Sequence, residues 1–245
     1  MQKRLERAKM LLKHAEGRIF LAASVFLLLF ALSEILVHVT PDRYPKSAMF
    51  RLILSLLICA LYYLGGLLYA ERTKDTHVLQ RLMMLFFGIY LYLILNFTLL
   101  DKGMGRNNLL QNADENDRDF YLRWFVNMKP FHSIYEVYIK GFLHGYVNVY
   151  YTLLNLLGNV CAFMPFALFL PLFFPAQKRW YLFLPTVALT VASIEVIQFA
   201  FMVGSCDIDD LILNVGGAMI LYFILRIPAL KRLSDRFAGR IPKEA

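Results

Sequence analysis

The sequence predicts an all-α fold, a polytopic transmembrane helical bundle of about six spans, and three observations predict it. Apolar residues make up 59% of the 245 residues and charged residues only 18%. Globular domains run at roughly 45–50% apolar and about 25% charged. The mean hydropathy of +0.52 points the same way. Six apolar stretches each approach the roughly 20 residues that cross a bilayer as helix. Lys and Arg fall unevenly between the loops, as they do in membrane proteins.

The stretches run in order Ile19–Val39, Met49–Ala70, Leu82–Leu100, Tyr150–Phe174, Tyr181–Val203 and Ile208–Leu225. Eighteen mostly polar residues precede the first, and no small-residue cleavage site follows it, so it reads as a span rather than a signal peptide. No transporter-type internal repeat is visible. Pro165, Pro171 and Pro185 predict kinks in the fourth and fifth spans. Gly158, Gly216 and Gly217 predict close helix approach. Residues 1–76 form a basic tail with two accessory spans, 77–228 a four-helix core, and 229–245 a second basic tail.

Alternating the six spans puts seventeen Lys and Arg on the side of the two termini and nine on the other. The positive-inside rule therefore makes both termini and the Glu71–Arg81 loop cytoplasmic. This asymmetry accounts for the net charge of +8, so nucleic acid is not called for. The basic tails suit anionic lipid instead. Three cysteines exclude a disulfide scaffold, and the apolar content excludes disorder.

With that orientation, the polar residues inside the spans share one level near the outer surface. They are Asn155 and Asn159 on span four, Glu195 and Gln198 on span five, and Asp207, Asp209, Asp210 and Asn214 at the head of span six. Their spacings of three, four and seven place each set, Asp209 apart, on one helix face. An acid at mid-span costs about 2.5–3.5 kcal/mol on insertion scales, so a shared polar pocket explains them better than lipid exposure. The competing reading is helix tethering, at about 0.6 kcal/mol per hydrogen bond. Glu34 and Arg51 predict a structural ion pair, with His38 close by.

The third loop is dense in aromatics from Phe120 to Tyr151, which suits the headgroup level. Ile134, Tyr135, Tyr138, Ile139 and Phe142 share one helical face, with Glu136 and Lys140 as an i, i+4 pair. This stretch reads as an interfacial or re-entrant helix over the outer pocket, or else as a membrane-surface anchor.

No phosphate loop, HExxH pair or GxSxG elbow is present. His132 and His144 lack metal-ligand spacing, and Cys206 stands alone outside the spans. Asp207, Asp209 and Asp210, with Glu195, are the candidate oxygen ligands for a divalent cation, without an EF-hand pattern. Glu195 and Asp210 are the candidate catalytic carboxylates.

Three blocks in fixed order resemble the VanZ-like family of bacterial membrane proteins. They are Asn155-Leu-Leu-Gly158-Asn159 with Phe163-Met-Pro165-Phe166, then Glu195-Val-Ile-Gln198, then Asp207-Ile-Asp209-Asp210-Leu-Ile-Leu-Asn214-Val-Gly216-Gly217. Asn127-Met-Lys-Pro130-Phe131 is similar to a segment that precedes them in the family. Ala167 and Leu221 stand where the family often has glycine, and Gly204-Ser205-Cys206 replaces a common arginine. The resemblance covers roughly residues 82–225. It implies a place at the outer face of the bacterial cytoplasmic membrane and a link to resistance against teicoplanin-type glycopeptides. Asn127, Asn155, Asn159, Glu195, Gln198, Asp207, Asp209, Asp210 and Asn214 then become the expected ligand-binding residues.

Two functions are open at this point. One is binding of an envelope lipid headgroup, a lipid-linked cell-wall precursor or a lipoglycopeptide. The other is an intramembrane enzyme acting on such a lipid or precursor, with Glu195 as acid or base.

Overall fold

The computed structural model describes residues 2–39, 48–100, 115–145 and 148–240. Expectations that involve Arg43, Lys46, Asp114, Tyr146 or Lys243, and the side chain of His38, lie outside the described residues. Helices dominate, as the hydropathy requires, and the chain forms two compact units: Met1–Leu93 with Arg232–Ala245, and Ile94–Lys231.

In the first unit, α1 (Gln2–Val39) and α2 (Ala48–Thr73) run antiparallel. Residues rising along α1 meet residues falling along α2. Arg72 pairs with Glu16 at 2.9 Å, Tyr62 meets Ser24 at 3.0 Å, and Arg51 pairs with Glu34 at 3.1 Å. The expected Glu34–Arg51 pair is thus formed, and it is buried. Tyr92 of α3 (His77–Leu95) donates its hydroxyl to Glu34 at 2.6 Å. The α2–α3 turn is capped at both ends. Lys74 takes a left-handed φ of 62°, its N–H bonding Ala70 O at 2.8 Å. The Asp75 carboxylate accepts the His77 N–H at 2.9 Å, the usual role of an N-cap acid. The segment after α10 (Pro228–Phe237) closes on this turn, with Gln80 donating to Gly239 O at 3.2 Å and Phe237 against Tyr63 at 4.4 Å.

In the second unit, α3 ends in a π-helical turn, Asn96–Leu100. Next come α4 (Glu115–Trp124), β1 (Val126–Asn127) and a π-helical stretch Ile134–Lys140 that continues into α5 (Gly141–His144). The fourth span is α6 (Val149–Ala162) and α7 (Phe166–Phe173), broken at 163–165, where Pro165 opens the new helix. Helix α8 (Trp180–Phe201) is the fifth span, β2 (Cys206–Asp207) follows, and α9 (Ile208–Ile224) is the sixth apolar helix. The strands pair in parallel, Val126 with Cys206 and Asn127 with Asp207.

Among the described residues, five stretches have the length and apolarity to cross a membrane. Helix α9 adds a shorter sixth of 17 residues, about 25 Å at 1.5 Å per residue. The chain then bends by 97° into α10. The chain is therefore a polytopic helical membrane protein.

Close packing of α6 on α9 is carried by one glycine. A Cβ on Gly217 would lie 1.8 Å from the carbonyl oxygen of Val160, whereas Gly158 and Gly216 have nothing within 4 Å. The expectation of close approach at all three is corrected to Gly217 alone. At the far end of α9, Tyr222 is fully buried and stacks on Phe183 at 4.2 Å. The Arg226 guanidinium lies 3.3 Å from the Tyr222 ring centroid and donates to the Lys178 carbonyl.

Candidate functional site

The polar residues of the second unit gather where α8 ends and α9 begins. Helix α8 closes with Met202 in the left-handed region, φ 49°, and the Val203 N–H bonds Gln198 O at 2.8 Å. The chain crosses in β2 and re-enters helix at Ile208. Asp207 caps α9, its carboxylate accepting the Asp209 N–H at 2.8 Å. Acids at a helix N-terminus face unpaired N–H groups and the positive end of the helix dipole. That is the physical reason three of them tolerate this position.

Two of the acids fasten the third loop. Asp207 accepts Asn127 Nδ2 at 2.8 Å and Ser133 Oγ at 2.5 Å. Asn127 also donates to Ser133 Oγ at 3.0 Å and accepts the Lys129 N–H at 3.0 Å. Asp209 is fully buried. Its two oxygens accept the backbone N–H groups of Phe131, at 2.5 Å, and Ile134, at 3.0 Å. The first turn of the π-helical stretch is thus capped by a residue of another helix, and Phe131 is held at a left-handed φ of 63°. Charge-assisted bonds of this kind contribute about 1.5–3 kcal/mol each.

A second group lies beside the fastening. Asn159 Nδ2 donates to the Asp210 carboxylate, and Asn214 Nδ2 donates to the Asp210 carbonyl at 2.7 Å. The Oδ1 of Asn214 has no hydrogen-bond partner among the described residues. Glu195 accepts the Asp207 N–H at 3.2 Å. The Tyr138 hydroxyl faces this group from the π-helical stretch. Burial, then the charges of Asp210, Asp207 and Asp209, hold its phenol up to about 12. Cys206 adjoins Glu195; burial, then the Glu195 and Asp207 charges, push its thiol up to about 11.

The structure thus joins Asn127, Asn159, Glu195, Asp207, Asp209, Asp210 and Asn214 by direct bonds or through one neighbour. Gln198 is buried, but its amide ties helices: Nε2 donates to Thr98 O at 2.8 Å, and its carbonyl accepts the Tyr121 hydroxyl at 3.3 Å. Asn155 is exposed on α6 and forms no hydrogen bond among the described residues. The hydrogen bonds of the cluster do not reach it. The carboxylates of Asp207, Asp209 and Asp210 are not gathered into a cation site. Among the described residues, no group of three or more His, Cys, Asp or Glu is arranged to hold a metal ion. Asp207 and Asp209 instead direct their oxygens at N–H and O–H donors.

Ser133, Tyr138 and Cys206 belong to the site and were not among the expected site residues. Tyr138 was legible only as part of an aromatic face. Cys206, expected to stand alone, is buried in β2 and bonds Phe125 O through its N–H at 2.8 Å.

Comparisons with curated proteins and with solved structures give no match. The family model described as VanZ/LLP1 matches residues 86–230, more than half of the chain and all of the cluster. The chain therefore belongs to the VanZ/LLP1 family.

Proposed function

We propose that this membrane protein binds the polar group of an envelope lipid, lipid-linked precursor or lipoglycopeptide at the outer face of a bacterial cytoplasmic membrane. In a bacterium that meets glycopeptides of the teicoplanin type, this binding underlies resistance. The observation that carries the reading is the convergence of β1, the π-helical stretch, α6, α8 and α9 on one polar cluster. The other end of α8 and α9 carries Lys178, Arg179 and Arg226. The positive-inside rule places that basic end in the cytoplasm and the cluster outside, with both termini cytoplasmic. Exposed aromatic and apolar side chains around the π-helical stretch, including Phe131, Tyr135, Ile139 and Phe142, suit contact with acyl chains at the headgroup level.

Binding is favoured over catalysis because Asp207 and Asp209 serve as acceptors for the fold. Glu195, which accepts the Asp207 N–H, and Asp210, which accepts Asn159, are the carboxylates proposed to give the site its charge. The test replaces each by its isosteric amide. Glu195→Gln and Asp210→Asn, at membrane levels matched to the wild type, are expected to abolish the glycopeptide-susceptibility phenotype. Asp209→Asn should instead lower the folded level, because it weakens the fastening of Phe131 and Ile134. Full activity in Glu195→Gln and Asp210→Asn together would refute a charge-dependent site.

A further inference from the structure

We infer that the cluster receives a primary ammonium group, with Asn214 Oδ1 and the Asp210 carboxylate as its acceptors. This rests on the binding reading above and names the chemistry of the bound group. Asn214 is 6% exposed, and its Oδ1 has no partner among the described residues. Leaving a buried acceptor unmade is costly, so the natural occupant brings an N–H or O–H donor. Its orientation is fixed: Nδ2 is committed to the Asp210 carbonyl at 2.7 Å, so the amide cannot turn over without placing oxygen against oxygen. Asn159 likewise directs its Nδ2 at Asp210. Both amides therefore give a donor to Asp210, and Asn214 keeps an unmet acceptor beside it.

The sign of the field is the second argument. Asp207, Asp209, Asp210 and Glu195 crowd the start of α9, and two neutral acids beside them respond as a negative field requires. The Tyr138 phenol and the Cys206 thiol are both held up, by burial first and by these carboxylates second. A phosphate would meet like charge here. A hydroxyl would satisfy Asn214 but gain little from the field. An ammonium offers three donors on one compact cation and gains from both.

The experiment uses the full chain, purified in uncharged detergent, with three probes of equal tail: octylamine, octanol and octyl phosphate. Saturable binding is read by calorimetry and by the rise in unfolding temperature. Octylamine is expected to bind at least about tenfold tighter than octanol, the value of one charge-assisted bond, and octyl phosphate is expected not to compete. Asn214→Leu should weaken octylamine about tenfold and weaken octanol as well, since both give Asn214 a donor. The headgroup ranking is read on the wild-type chain, so it stands even if that variant fails to fold. Dioctanoyl phosphatidylethanolamine and an amine-bearing lipoglycopeptide then compete against octylamine. Displacement by one of them gives the source of the amine, and displacement by neither overturns its assignment to a membrane molecule. Equal or tighter binding of octyl phosphate overturns the ammonium while leaving a headgroup pocket. Saturable binding of none of the probes overturns the pocket as well.

Discussion

Gly217→Ala is the sharpest test of the packing that brings the cluster together. The added Cβ would lie 1.8 Å from Val160 O, 2.7 Å from its carbonyl carbon and 3.1 Å from its Cα. Ordinary contact begins near 3.4 Å, so α6 and α9 must separate by about 1.6 Å. The obstruction is backbone and cannot swing away as a side chain would. Overpacking of this kind costs about 1–3 kcal/mol, occasionally more, and the absence of a flexible neighbour argues for the upper end. At about 2–4 °C per kcal/mol for chains of this size, the unfolding temperature should drop by roughly 5–10 °C. Asn159 is next to Val160 in sequence and two turns of α9 separate Asp210 from Gly217, so the Asn159–Asp210 bond should loosen too. Gly216→Ala and Gly158→Ala are the controls. They meet nothing within 4 Å, and alanine is the better helix former by about 1 kcal/mol. Thermal unfolding of the four proteins in one detergent decides the matter. Equal melting of Gly217→Ala and wild type, or equal losses at Gly216, would refute the close crossing.

Cys206 provides a pH test. Its thiol is held near 11, so a chain with Cys206 as its one cysteine should react slowly with maleimide at neutral pH. Reaction should quicken toward pH 11, and Glu195→Gln should shift the rise to lower pH by removing a charge that opposes the thiolate. An unchanged profile in that variant would separate Glu195 from Cys206. For orientation, a cysteine at position 115 should label from outside only, and one at position 74 from the cytoplasm only. Labelling of 115 solely from the cytoplasm would invert the protein and remove the outer-face reading. Arg51→Met alone should cost about 3–5 kcal/mol, because it strands Glu34 in a buried site. The double change with Glu34→Leu should recover most of it, as read by the same unfolding assay.

The spans were legible because hydropathy is a local property that needs no knowledge of partners. Spacing along one helix fixes a face, and Asn159, Asp210 and Asn214 do meet through hydrogen bonds. Partner choice was not legible. Asn127 meets Asp207 across 80 residues, and Ser133 meets it across 74; no periodicity encodes such pairs. The third loop misled for a second reason. Its helix is π-helical over Ile134–Lys140, with i→i+5 bonds, so faces drawn at α-helical spacing do not persist. Tyr138, placed with Tyr135 and Ile139 on one face, points at Asn159 and the acids, while Tyr135 and Ile139 are exposed. Gly158 and Gly216 failed as contact glycines because a crossing point is set by three-dimensional register, and only Gly217 lies on it.

Four carboxylates gathered at the start of α9 need hydrogen-bond donors, and the fold supplies different donors to different members. Asp207 and Asp209 are held by N–H and O–H donors, several of them backbone groups of a helix start. Such donors use up the carboxylates' acceptor capacity. Those two acids explain why the third loop stays on the bundle. Asp210 is one residue further into α9, where its own backbone carbonyl takes Asn214 and its carboxylate takes Asn159. Glu195 caps the N–H of Asp207 from the end of the preceding span. The acids thus divide by partner: Asp207 and Asp209 fix the third loop, Asp210 takes Asn159, and Glu195 takes the N–H of Asp207. This division accounts for the clustering at the start of α9, where no group among the described residues is arranged to hold a metal ion. It also explains why isosteric neutralisation should read as misfolding at Asp209 and as lost function at Asp210.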